Sequence, residues 1–215
     1  WSQELKVQES LNEYVLAWTL IHALHRRLGY GGLGPETAFN MSVGYTYDGL
    51  LQPNVQAFLN GMRDAGDLVD RLVHELSPWC PELADRPPPA RVSNSVTVST
   101  MHGCPPEEIE KIVAYLLSEC RLHTFVKLNP TLLGPESVRE LLRRLGYKDI
   151  VVPDSAFEHD LKFADAVPML QRLSDLAERL GLCFGVKLSN TLEVENTRGV
   201  FPPSETAMYM SGRPL

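Results

Sequence analysis

Lys127 and Lys187 each close a short apolar run of the same pattern, Thr124-Phe125-Val126-Lys127-Leu128-Asn129-Pro130-Thr131 and Phe184-Gly185-Val186-Lys187-Leu188-Ser189-Asn190-Thr191. A strand buried on both faces reads as a continuous apolar run. In parallel α/β sheets, ligands sit beyond the carboxyl ends of such strands. A lysine there is costly unless it meets a charge or a ligand. It either steadies an electron-rich ring edge, forms a Schiff base as a nucleophilic amine, or runs its stem along the rim into solvent. Asn129, Asn190 and Thr191 follow these lysines, and Asn40 and Ser42 close a third run around residues 39–45. Each alone reads equally as a turn former. Together they mark one polar face at several strand ends.

A fourth segment is Ser99-Thr100-Met101-His102-Gly103-Cys104-Pro105-Pro106. Here a strand ends, a glycine turns the chain and a helix opens, so free N–H groups of the first turn can receive a phosphate or carboxylate. Ser99 is the candidate contact in that turn. The helix dipole would favour a thiolate at Cys104, with His102 assisting. In the plainer reading, Ser99, Thr100 and His102 satisfy the turn and Cys104 packs as a small apolar group. His22, His25 and His74 fall on helical stretches, and His159 in Phe157-Glu158-His159-Asp160 reads as a solvated loop residue. No metal site is expected.

Elements must carry these strand ends. Leu11, Tyr14, Val15, Trp18, Ile21, Leu24 and Leu28 recur at three- and four-residue steps and predict a helix over 11–28, ended by Gly29. Strands are expected over 37–43, 96–100, 124–128, 149–152 and 183–188. Helices are expected over 53–76, from Pro105 onward, over 135–145 and over 163–180, with an extended proline-rich connection over 78–89. Strict strand–helix alternation means parallel strands with crossover helices. A closed (β/α)8 barrel needs eight such units and ~250 residues. The 215 residues supply about five. The expected fold is a partial TIM (β/α)8 barrel, one incomplete domain over 1–215 and a fragment of a larger chain.

Composition narrows the function classes. The charge of −7, with 20 basic against 27 acidic residues, leaves no basic stripe for nucleic acid. No run approaches the ~20 apolar residues of a membrane span. Cys80, Cys104, Cys120 and Cys183 form no C-x-x-C pair and no zinc or iron–sulfur spacing. A reduced, cytoplasmic setting is the expectation.

The segments at 39–45, STMHGCPPEEIE, TFVKLNPTLLG, FGVKLSNT and MYMSGRPL closely resemble the iron–sulfur flavoprotein family of selenate reductase subunits. The resemblance spans nearly the whole chain. Such proteins join a barrel similar to dihydroorotate and dihydropyrimidine dehydrogenases, which are FMN-dependent, to a glutamate-synthase-like FAD/NADPH module and ferredoxin-like clusters. It implies FMN at this barrel, FAD and iron–sulfur clusters in other domains, and a small-molecule substrate. It also implies other domains or subunits of an oxidoreductase complex as partners. In one register Lys187 is the flavin lysine, and Asn129 stands where the family's Cys or Ser proton-transfer base is expected, which an amide cannot replace. In the other register Lys127 is the flavin lysine, Cys104 lies in the base loop and Asn190 meets substrate.

The family's glycine-rich loop and its phosphate site after the seventh and eighth strands are not in this sequence, so the segment alone is not expected to retain FMN. The resulting expectation is a flavin-dependent oxidoreductase barrel using Cys104 and Lys187, with Asn40, Ser99, Lys127, Asn129, Asn190 and Thr191 as cofactor contacts. Two other classes stay open: a cofactor-less barrel that serves as a scaffold for partner subunits, and a Schiff-base lyase using Lys127 or Lys187.

Overall fold

The computed structural model describes residues 6–29, 38–99 and 104–212, and the chain divides into two compact units, 1–96 with 120–122 and 97–119 with 123–215. In the first unit, α1 (Val7–Leu28) buries Leu11, Val15 and Trp18 at the helical spacing, and Gly29 ends it in the left-handed conformation, φ 66°. Helix α1 packs on α3 (Pro53–Arg63), α4 (Gly66–Leu76) and α5 (Glu82–Asp85), with the short α2 (Tyr47–Leu50) ahead of α3. Gly61 allows the close approach of α1 and α3, because a Cβ there would stand 2.6 Å from Leu11 Cδ2. Phe58, Leu59, Met62 and Leu83 are buried in this unit.

The single helix expected over 53–76 is broken. Asp64 is extended, and its Oδ1 accepts the N–H of Gly66 at 3.2 Å, while the N–H of Ala65 goes to Ala90 O at 2.9 Å. A short acidic side chain that satisfies the backbone locally competes with helix continuation. The proline-rich connection is tied down rather than loose: Trp18 Nε1 donates to Pro89 O at 3.0 Å, and α5 lies within it. Strand β1 (Met41–Val43) is shorter than expected, and β2 spans Ser95–Ser99.

In the second unit the strands run in the order β2, β3 (His123–Leu128), β4 (Phe184–Leu188). β3 and β4 are parallel, with Thr124 opposite Phe184, Phe125 opposite Gly185 and Lys127 opposite Lys187. Helix α6 (Pro106–Ser118) buries Ile109, Ile112, Val113, Leu116 and Leu117. It packs on α9 (Phe163–Leu180), which buries Ala166, Met169, Leu173 and Ala177. Arg172 grips Glu110 across these helices through Nε and Nη2, both at 2.6 Å, and this bidentate bond, more than the charge alone, holds the Glu110 carboxyl below its ordinary value. An exposed pair of this kind adds little to stability, so the apolar contact does most of the holding.

Between β3 and β4 lie a 3-10 turn at Pro130–Leu133, α7 (Pro135–Arg144) and the short α8 (Ser155–Glu158). The strand expected over 149–152 is absent, and β4 takes the edge of β3 instead. Val152 joins Val138, Leu142, Ala156 and Phe157 in a cluster closed by Leu192 and Val194. These last two belong to β5 (Leu192–Glu195), which pairs antiparallel with β6 (Ala207–Met210). Glu195 N–H donates to Val151 O at 2.9 Å, so the 149–152 segment spends its pairing capacity on this hairpin. The hairpin itself was not foreseen from the sequence. No helix among the described residues is long and apolar enough to cross a membrane.

Candidate functional site

The strand ends of the second unit are ordered by side-chain alternation. Along β3, Thr124, Val126 and Leu128 are buried, while His123, Phe125 and Lys127 are half-buried. Partners in a parallel register share a face, and adjacent strands lie about 4.8 Å apart. Lys127 and Lys187 therefore leave the sheet side by side on the same face. Lys187 is exposed and makes no ion pair among the described residues. Like charges carried on one face of a sheet repel each other. Gly185 keeps the two strands together one step earlier, since a Cβ there would meet the Phe125 ring at 2.9 Å.

Beyond β3 the chain folds back through the 3-10 turn and builds a buried polar relay. Asp160, 6% exposed, accepts at Oδ2 from Asn129 Nδ2 at 3.1 Å and from Thr131 Oγ1 at 2.7 Å. Asn190 Nδ2 donates to Asn129 Oδ1 at 2.8 Å, and its backbone N–H donates to Leu128 O at 2.9 Å. A carboxylate is acceptor-only, so it fixes the direction of the whole chain. Asn129 must turn its NH2 to Asp160 and its oxygen to Asn190. Asn190 must then donate to Asn129 through its NH2, which leaves its own Oδ1 as an acceptor.

Asp160 also borders Cys104. Both line a cleft with Ile109, Leu128, Asn129, Leu132 and Leu161, of about 10 Å³, room for a single water molecule. The Cys104 thiol is pushed up from its ordinary value, first by burial and then by the Glu108 carboxylate. The direction is opposite to the thiolate expected from a helix N-terminus. Pro105 is the N-cap of α6, so Cys104 lies before the first turn and outside the reach of its N–H groups. Across the β5–β6 pair, burial first and the Glu193 charge next push the Tyr209 phenol up, with a further contribution from Asp160.

The structure thus brings Cys104, Asn129 and Asn190 together and sets Lys127 beside Lys187. Thr191 follows half-buried at the foot of the hairpin, and Ser99 ends β2 half-buried. Asn40 is exposed in the first unit, ahead of β1. Thr100, His102 and Gly103 lie outside the described residues. Sequence reading missed Asp160 and Thr131. Asp160 sits in a charged run that looks solvated, and its donors are 29 and 31 residues away, a separation no local pattern reveals. No group of three His, Cys, Asp or Glu side chains placed to hold a metal occurs among the described residues.

Two relatives, each bearing the name "Putative oxidoreductase YgfK", from Escherichia coli strain K12 and Escherichia coli O157:H7, are 42% identical to the chain over 234 aligned residues. The match covers 100% of this chain and 22% of each relative. No solved structure matches significantly. The family model described as "Oxidoreductase YgfK, N-terminal TIM-barrel domain" matches residues 1–215, and the chain belongs to that family.

Proposed function

We propose that this chain is the flavin-facing barrel domain of a multidomain oxidoreductase, moving electrons between NAD(P)H, flavin, iron–sulfur centres and a small-molecule substrate. Kinship with the selenate-reductase type of iron–sulfur flavoprotein is part of this reading. The observation that carries it is the pairing of Lys127 with Lys187 at the carboxyl ends of adjacent parallel strands. The donor set fits the pyrimidine edge of FMN. The lysine pair suits its electron-rich side, and Asn190 Oδ1, aimed by the Asp160 relay, suits its ring N–H.

Bound FMN would supply hydride and single-electron chemistry. Lys187, and Lys127 beside it, offset negative charge at that edge. Asn129 aims the Asn190 amide, and Thr191 adds a hydroxyl at the same strand end. Ser99 would meet the phosphate. Cys104 keeps its proton on Sγ near neutrality, which suits a proton donor better than a nucleophile. FAD and the clusters belong to other domains of the longer polypeptide.

A second reading, a barrel without cofactor that docks partner subunits, is favoured by how little room the Cys104–Asp160 cleft offers. The test is the visible spectrum of the full-length polypeptide, followed by denaturation and identification of the released flavins. FMN beside FAD, with FMN occupancy lowered by Lys187→Ala, supports the catalytic barrel. FAD with iron–sulfur absorption and no FMN leaves the scaffold.

A further inference from the structure

The first unit holds a cleft that the reading above does not use. Asn60, Arg63, Asp64, Arg91, Ser93, Asn94, Arg121 and Leu122 line a cleft of about 550 Å³, within the ~300–1,000 Å³ range of small-ligand sites. Three arginines and one carboxylate line it, in a chain whose net charge is −7. That carboxylate, Asp64, already accepts the Gly66 N–H at 3.2 Å. Arg63 closes the last turn of α3, and neither it nor Arg91 forms an ion pair among the described residues. Arg121 holds φ 54°, the left-handed conformation in which glycine is the inexpensive residue. A long cation therefore occupies a position that backbone preference assigns to glycine. Asn60, Ser93 and Asn94 add neutral polar groups to the same walls.

We infer that this cleft binds a phosphorylated small molecule, with Arg63, Arg91 and Arg121 holding the phosphoryl oxygens. Guanidinium groups match phosphate geometry with paired N–H donors and keep their charge throughout the physiological range. An open cleft of this size with several arginines and polar amides suits a ligand carrying one or two phosphoryl groups together with a polar body.

The test is calorimetric titration of the full-length polypeptide with sodium pyrophosphate at low ionic strength, in the unsubstituted protein and in four variants. Arg63→Gln, Arg91→Gln and Arg121→Gly should each weaken one binding event about tenfold, and Lys187→Ala should leave it unchanged. Arg121→Gly should at the same time raise the melting temperature, because glycine relieves the left-handed backbone. Lost binding in a more stable protein cannot be a folding defect. Absence of saturable binding, undiminished binding in all three arginine variants, or loss of that event in Lys187→Ala would each overturn the assignment, the last by placing the anion at the lysine pair.

Discussion

Replacing Asp160 with alanine tests the relay on which the geometry of the candidate site depends. The carboxylate is 6% exposed and accepts hydrogen bonds of 3.1 Å from Asn129 and 2.7 Å from Thr131. A hydrogen bond to a charged group contributes about 1.5–3 kcal/mol, and a buried donor left without a partner costs about 1–3 kcal/mol. Thr131, 5% exposed, has no nearby solvent to turn to. Against these losses stands the relief of no longer burying a charge, so the net local cost should be about 3 kcal/mol. No tryptophan lies in the second unit, so fluorescence is the wrong probe. Amide hydrogen exchange read by mass spectrometry reports locally. Peptides over 123–133 and 184–191 should exchange about a hundredfold faster in Asp160→Ala. Asp160→Asn keeps an acceptor oxygen and should fall between. If exchange in Asp160→Ala stays within about twofold of the unsubstituted protein, the relay does not hold these strand ends and the argument from it fails.

Other consequences are as specific. His22 is buried against Trp18, ring centroids 4.3 Å apart, and burial above all, with Arg26, His25 and Arg86 adding to it, lowers its pKa from 6.5 to about 4. The unfolded chain then binds the proton first as pH falls, so stability is intact above pH 6.5 and declines by about 3 kcal/mol toward pH 4. Urea midpoints followed by tryptophan fluorescence should show this slope, and His22→Leu should flatten it. Gly185→Ala places a Cβ 2.9 Å from the Phe125 ring and should cost about 1–3 kcal/mol. Thermal melts should show the loss, and adding Phe125→Leu should recover part of it; no recovery would mean that the clash is not the cause. Iodoacetamide should modify exposed Cys183 before Cys104, with Cys80 and Cys120 protected by burial. Because Glu108 helps push the Cys104 thiol up, Glu108→Gln should speed its alkylation at a fixed pH below its pKa.

Local signals in the sequence decided a good deal. The three- and four-residue apolar spacing of α1 and its glycine stop, the boundaries of α9 (Phe163–Leu180) and the run that becomes β3 all follow from side-chain periodicity and backbone preference. So does the placing of Lys127 and Lys187 at strand ends, because a buried parallel strand keeps its polar groups for its carboxyl end. What local pattern could not decide was competition between distant partners. Residues 149–152 have strand-like composition, yet β4 occupies the edge of β3, and the segment packs on a hairpin formed 40 and more residues later. The helix expected over 53–76 breaks where Asp64 and Ala90 offer the backbone better partners. Asp160 carries no mark of burial until Asn129 and Thr131 are folded onto it. Periodicity and capping act within a few residues along the chain. Sheet edges, buried carboxylates and clefts between arginines are allotted by contacts across it, and only the tertiary structure assigns those.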